Sequence, residues 1–242
     1  MIKDFLLVIP ARYESSRFPG KPLADIKGKS MICRVWEKCI LAVPKENVFI
    51  ATDDSRIKAH CQENDMNFVM TSANCLTGTD RVAEVSKKID AEFYINVQGD
   101  EPLINPLDIK KIINTYNENP DATYCAMTRI RYEEEYRSQN VPKVVTNLDN
   151  NLLYISRSPI PSNKKGSFTP AMKQVCIYVF PKKHLEEYGP EKKKTPIEEI
   201  EDIELLRLLE RNLIVRMVEI NNSTTAVDTP EDLKRVISLL ND

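Results

Sequence analysis

Arg12, Arg17 and Lys21 place three cations within ten residues of one another, beside Gly20 and two serines, Ser15 and Ser16. Guanidinium forks match phosphate oxygens in two-point geometry and a lysine ammonium adds a point charge, so the segment has the chemistry of a phosphate grip. It contains neither G-x-x-x-x-G-K-[ST] nor G-x-G-x-x-G, which excludes the usual P-loop and dinucleotide readings. On charge alone, a solvated loop with scattered cations fits equally well. A second segment, Asn96-Val97-Gln98-Gly99-Asp100-Glu101-Pro102, presents an acid after a glycine, the residue that lets two backbones approach closely. Asp100 reads either as a ligand for a divalent cation bridging phosphate oxygens or as a turn acid bonded to its own backbone. The third is Ala226-Val227-Asp228-Thr229-Pro230-Glu231-Asp232, which has the form of a helix cap. Asp228 precedes that cap, so Asp100 and Asp228 together could clamp Mg²⁺.

These groups act together only if the chain holds them on one edge. Residues 5–9, 48–51 and 93–97 are short apolar runs of strand length. Between and after them, residues 30–43, 55–64, 78–89 and 107–116 carry helical patterns. Runs apolar at every position predict strands covered on both faces, and their alternation with helices predicts a mostly parallel central sheet. The cationic segment follows the first strand and Asp100 follows residues 93–97. Both therefore lie at the carboxyl ends of strands, where open α/β sheets bind ligands. Beyond about residue 122 the pattern changes. Strands are expected at 123–130, 143–146, 152–155, 175–180 and 215–220, with a turn at 149–151. A loop is expected at 162–170, containing Lys164, Lys165 and Gly166. Ile197, Ile200, Ile203, Leu206 and Leu209 predict one amphipathic helix over 196–212, and Thr229-Pro230 opens a last helix to residue 240.

The chain has 242 residues, 42% apolar and 29% charged, with 34 basic against 36 acidic side chains. A net charge of −2 argues against a nucleic-acid partner held by bulk charge. No run is long enough for membrane insertion or a secretory leader. The six cysteines form no C-x-x-C pair and only two histidines are present, which points to free thiols and a cytoplasmic protein.

Taken in order, several segments resemble one family. They are Val8-Ile9-Pro10-Ala11-Arg12 through Gly20-Lys21-Pro22-Leu23, Ala51-Thr52-Asp53, Thr77-Gly78-Thr79-Asp80-Arg81 and Asn96 to Pro102. Lys143-Val144-Val145, Ser156-Arg157-Ser158-Pro159-Ile160-Pro161 and Val227 to Asp232 complete the set. The family is the 3-deoxy-manno-octulosonate cytidylyltransferases (CMP-Kdo synthetases), whose motifs cover nearly the whole chain. The resemblance implies a nucleotide-diphospho-sugar transferase-like α/β fold and a single nucleotidyltransferase domain. Within it, residues 1–121 would be mainly nucleotide-binding and about 122–212 would form a smaller sugar-binding and dimerisation region. It further implies CTP, Mg²⁺, a sugar-acid substrate and a homodimer. By motif, Arg12, Arg17 and Lys21 would grip the triphosphate, with Arg12, Lys21 and Asp100 catalytic. Thr79, Arg81 and Gln98 would face the nucleoside, and Asp100 and Asp228 would hold the metal. Lys143 and Arg157 would approach the acceptor's carboxylate, with Gln174, Glu198 and Glu201 also on the sugar.

The departures fall in the sugar half. Where the family usually reads Arg-His-x-Gly-Ile-Tyr, this chain has Lys173-Gln174-Val175-Cys176-Ile177-Tyr178. Ser162 replaces a frequent tryptophan and Leu205 a frequent glutamine. The implied reaction is attack by an anomeric hydroxyl on the α-phosphorus of CTP, its proton passing to a metal-bound hydroxide, solvent or an acid such as Asp100. The acceptor could be 3-deoxy-manno-octulosonate, an amino-substituted octulosonate, a nonulosonate or a phosphonate. A non-catalytic nucleotide-binding regulator is the reading from outside enzymes.

Overall fold

The computed structural model describes residues 3–14, 17–189, 193–221 and 226–240; Ser15 and Ser16 of the cationic segment lie outside them. Its first strand, β1 (Lys3–Ala11), shows why the opening apolar run is continuous. Leu7 and Ile9 enter the core on one side of the sheet and Leu6 and Val8 the core on the other, all fully buried. Alternate side chains point to opposite faces, so a strand covered on both must be apolar throughout.

After β1 come a single 3-10 turn at Lys21–Leu23, a small hairpin of β2 (Asp25–Ile26) and β3 (Lys29–Ser30), and α1 (Met31–Ala42). Then follow β4 (Val48–Thr52), α2 (Ser55–Glu63), β5 (Phe68–Met70), α3 (Gly78–Ser86), β6 (Ala91–Val97), α4 (Pro106–Glu118) and β7 (Thr123–Arg129). The second half contributes α5 (Glu133–Arg137), β8 (Lys143–Thr146), β9 (Leu152–Ser156), β10 (Met172–Pro181) and α6 (Lys182–Tyr188). It ends with α7 (Pro196–Glu201), α8 (Leu205–Glu210), β11 (Val215–Glu219) and α9 (Pro230–Leu239).

The main sheet runs β11-β7-β10-β6-β1-β4-β5, with β8 pairing β10 and β9. Pairing is parallel between β1 and β4, β1 and β6, β4 and β5, and β7 and β11. The expected mostly parallel sheet is present. Strand β10 runs antiparallel between β6 and β7, so both halves of the chain share one sheet. The register of β10 against β7 slips between Val175 and Tyr178, a bulge at Cys176 and Ile177.

The single helix expected at 196–212 is broken in two. Helix α7 ends at Asp202, whose φ of 52° lies in the left-handed region that Asp tolerates better than most residues. Arg157 donates from Nε to the Glu201 carbonyl at 2.5 Å and from Nη2 to the Asp202 carbonyl at 3.0 Å. It thereby takes carbonyls that a continuous helix would bond itself. The apolar spacing is real, but this local capture overrides it.

A fully buried guanidinium joins the two halves. Arg207 Nη1 lies 2.6 Å from Asp80 and Nε 2.7 Å from Glu198, over the ring of Tyr188. Asp80 closes the capping box of α3 and Glu198 that of α7, so one side chain pins the N-terminus of a helix from each half. Breaking such a buried pair from one side costs about 3–5 kcal/mol.

The six cysteines are free thiols. Among the described residues, no helix is long and apolar enough to cross a membrane. Helix α9 opens with a capping box in which Thr229 accepts from the Asp232 amide and Asp232 accepts from that of Thr229. Losing such a cap typically costs about 1 kcal/mol. Thr229→Ala should therefore lower the unfolding free energy by about that amount in urea titrations.

Candidate active site

Lys21, Asp100 and Asp228 meet. The Lys21 ammonium lies 2.7 Å from Asp100 Oδ2 and 3.3 Å from Asp228 Oδ1, across 79 and 207 positions of sequence. Arg17 reaches the same Asp228 oxygen at 3.1 Å. Burial would lower the Lys21 pKa, but the two carboxylates outweigh it and hold the amine above its ordinary value. Lys21 is therefore a persistent cation at neutral pH.

The backbone explains the meeting. The Val227 amide donates to the Asp100 carbonyl at 2.9 Å. The Val227 side chain is fully buried with Ile26, Met31 and Val236. This anchors the C-terminal segment on the end of β6, and the α9 cap then aims Asp228 at Lys21. On the other side, a Cβ on Gly99 would lie 2.8 Å from the Pro10 carbonyl oxygen, so only glycine lets the ends of β6 and β1 approach this closely. Arg12, exposed after β1, acts electrostatically on Asp202 at the α7–α8 break. That carboxyl is held below its usual range chiefly by Lys194, with Arg157 and Arg12 adding to it.

Two carboxylates converging on one cation form a hard-oxygen donor set suited to Mg²⁺. No group of three or more His, Cys, Asp or Glu among the described residues could hold a metal. A metal here would thus draw its remaining ligands from substrate phosphate and water.

A second polar cluster lies where the two halves touch. Glu204 accepts from the Gly78 amide at 2.8 Å and from the Thr79 hydroxyl. Asn96, fully buried on β6, donates to Thr79 Oγ1 at 3.4 Å, and its Oδ1 is unpartnered. Gln98 packs so closely on Gly78 that a Cβ there would meet its amide at 2.8 Å. Gln174 donates to the Tyr178 hydroxyl at 2.9 Å. Burial raises the Glu204 carboxyl to about 7, opposed by its bonds from Thr79 and Gly78 and reinforced by Asp80 and Glu198.

Other expected site residues are committed within the protein. Arg81 is buried, 3.2 Å from Asp53 and bonded to Thr71. Lys143 has no exposed surface; its ammonium donates to the Ser138 carbonyl at 2.8 Å and to that of Arg157. Burial, with Arg157 adding to it, lowers that amine to about 8. Lys143 thus braces the Arg157 backbone. Glu198 is fully buried against Arg207. Glu201 accepts from the Ser156 hydroxyl at 2.5 Å and the Arg157 amide at 2.9 Å. The Arg157 guanidinium also reaches the Gln139 carbonyl at 2.9 Å and remains partly exposed.

Sequence reasoning missed Glu204, Asn96 and Arg207. Glu204 had a usable signal, since it interrupts an apolar run between Ile203 and Leu205-Leu206, and an acid inside such a run needs partners. A depression of about 490 Å³ lined by Thr115, Asn150 and Arg216 contains none of the site residues.

A cytidylyltransferase family model matches residues 6–220. The chain is 43% identical over 241 residues to a 3-deoxy-manno-octulosonate cytidylyltransferase of Syntrophotalea carbinolica, covering 95% of each chain. It is 37% identical to one of Escherichia coli, over 97% of this chain and 95% of that one. A solved CMP:2-keto-3-deoxy-manno-octonic acid synthetase complexed with CTP superposes with a TM-score of 0.90 at 37% identity, covering 99% of both chains. The chain belongs to the cytidylyltransferases and, within them, to the 3-deoxy-manno-octulosonate cytidylyltransferase family. It is a nucleotidyltransferase.

Glu204 sets a pH dependence. Its carboxyl ionises at about 7 in the folded protein against an ordinary value of 4.5, so between those values the folded state binds more protons. This contribution to stability is complete below 4.5 and is lost as pH rises through 7. Between pH 5 and 8, the unfolding free energy of Glu204→Gln relative to the parent should therefore rise; parallel profiles in urea titrations would refute this.

Proposed function

We propose that this enzyme transfers CMP from CTP to the anomeric hydroxyl of a 2-keto-3-deoxy sugar acid, 3-deoxy-manno-octulosonate foremost, and releases pyrophosphate. The observation that carries this reading is the Lys21 ammonium held between Asp100 and Asp228 at the carboxyl ends of the strands. Asp100 and Asp228 would hold Mg²⁺, which when bound offsets the charge of the triphosphate. Arg12 and Arg17, from the loop after β1, complete the positive side.

The reaction brings two anions together, and phosphoryl-type transfer leaves the protein mainly positioning and charge neutralisation. The attacking oxygen forms its bond to the α-phosphorus as the bond to pyrophosphate breaks. Lys21 and the two arginines would oppose the charge that builds on the departing oxygen. Both imidazoles are engaged elsewhere, His60 with Ser30 and Cys33 and His184 with Thr123, which leaves solvent or an acid such as Asp100 to take the hydroxyl proton. Gly78, Thr79, Gln98 and Glu204 line the approach from the nucleotide half to the sugar half, and Arg157 retains exposed guanidinium for an acceptor carboxylate.

The departures at Gln174 and Cys176 keep an amino-substituted octulosonate, a nonulosonate or a phosphonate as alternative acceptors. The homodimer belongs to this proposal, supported by exposed Leu153, Tyr154 and Ile200 on β9 and α7. So does a cytoplasmic location, supported by six unpaired thiols.

CTP and Mg²⁺ incubated with a panel of sugar acids, with CMP conjugates detected by mass, should yield product with the octulosonate. CTP binding without turnover on any acid would instead favour a regulator. Lys21→Ala and Asp100→Asn should each reduce pyrophosphate release about a hundredfold, on the order of 3 kcal/mol, while the protein stays folded. Near-parental release by either variant would remove its assigned role.

A further inference from the structure

Three soft side chains meet where α1 and α2 converge. Cys33 Sγ lies 3.2 Å from His60 Nε2 and 3.9 Å from Met66 Sδ. The two partners stand 27 and 33 positions from Cys33 in sequence, so the fold assembles the cluster and no short motif announces it.

Local structure explains the meeting. Helix α2 ends in a tight turn in which the Met66 amide donates to the Cys61 carbonyl at 2.9 Å and Asp65 adopts a φ of 50°. That left-handed residue, of a type that tolerates the conformation, folds Met66 back towards the last turn of α2, which carries His60. On the other side, Ser30 caps α1 by accepting from the Cys33 amide at 3.3 Å, and its Oγ lies 2.7 Å from His60 Nε2. The cap of one helix thus holds the imidazole of the other beside Cys33. Met66 is buried in the core, whereas Cys33 and His60 are only partly buried, so the cluster has an apolar base and access from solvent.

The spacing suits one metal ion. Metal–sulfur bonds of about 2.3 Å and metal–nitrogen bonds of about 2.0 Å put trigonal ligands about 4.0 Å apart for two sulfurs and about 3.7 Å apart for sulfur and nitrogen. The two sulfurs already stand at that distance, and the imidazole must retreat from Cys33 by about 0.5 Å. Among the described residues, no group of three or more His, Cys, Asp or Glu offers the ordinary Zn²⁺ set. A thioether beside a thiolate and an imidazole suits Cu⁺ instead. Cys61 is fully buried, and burial, with Cys33 adding to it, pushes its thiol up to about 12. It therefore packs as an apolar group and leaves Cys33 as the thiol ligand.

We propose that Cys33, His60 and Met66 form a binding site for one Cu⁺ ion, separate from the residues proposed above for CTP and the acceptor. Binding releases the Cys33 thiol proton to solvent and leaves a thiolate on the metal. The metal takes the Nε2 lone pair in place of the Ser30 contact, so the ring proton sits on Nδ1.

Cu⁺ supplied anaerobically with ascorbate to the full chain, in competition with the chromophoric chelator bicinchoninate, tests this. The parent should hold one equivalent, and X-ray absorption should show two sulfurs at about 2.3 Å and one nitrogen at about 2.0 Å. Met66→Leu and His60→Gln should each weaken binding about tenfold or more, no less than loss of a ligand's supporting partner costs. Cys33→Ser should abolish it, and Cys75→Ala, at another partly exposed thiol, should leave affinity unchanged. Met66→Leu conserves volume and carries the test should Cys33→Ser fail to fold. No uptake by the parent, unchanged binding in either Cys33→Ser or Met66→Leu, or displacement of Cu⁺ by equimolar Zn²⁺ would each overturn the site.

Discussion

The site depends on one electrostatic arrangement, a lysine ammonium shared by two aspartates from distant parts of the chain. Neither carboxylate would be stable this close to the other without a cation between them. Lys21 supplies that cation, and the Val227–Asp100 backbone bond fixes the spacing. A buried valine, a helix cap and a glycine that lets two strand ends touch all serve the same end. The acids are thus held in place by the fold itself.

The second organising feature is the joint between halves. Glu204 and Arg207 lie close together on the N-terminal turn of α8, and together they grip Gly78, Thr79 and Asp80 at the start of α3. The turn that opens α3 in the first half of the chain is thus held by a helix of the second half. Arg157 works in the opposite direction, taking carbonyls at the end of α7 and fixing the break that lets α8 begin where Glu204 meets Gly78. Lys143 holds the backbone of that arginine.

Much of this was legible in the sequence because it is local. Continuous apolar runs identify strands buried on both faces, Thr229-Pro230 identifies a cap, and the cation-rich loop after a strand lies at the carboxyl edge of the sheet. The less legible parts were those in which a distant group outbids a local pattern. The spacing of Ile197, Ile200 and Ile203 reads as one long helix, but Arg157 captures the carbonyls at its middle. Glu198, a sugar contact by the family resemblance, is fully buried in a pair with Arg207. Periodicity cannot report either event, since both partners come from elsewhere in the chain.

By itself, then, the sequence determined the alternation of strands and helices, the family and the residues that carry the charge, all written in near-neighbour patterns and ordered motifs. Only the tertiary structure decided which charged groups face the site and which are spent inside the protein, and that Cys33, His60 and Met66 come together. Such outcomes follow from competition among partners separated by tens to hundreds of residues. That competition is resolved only when burial makes every unpaired charge and polar atom costly.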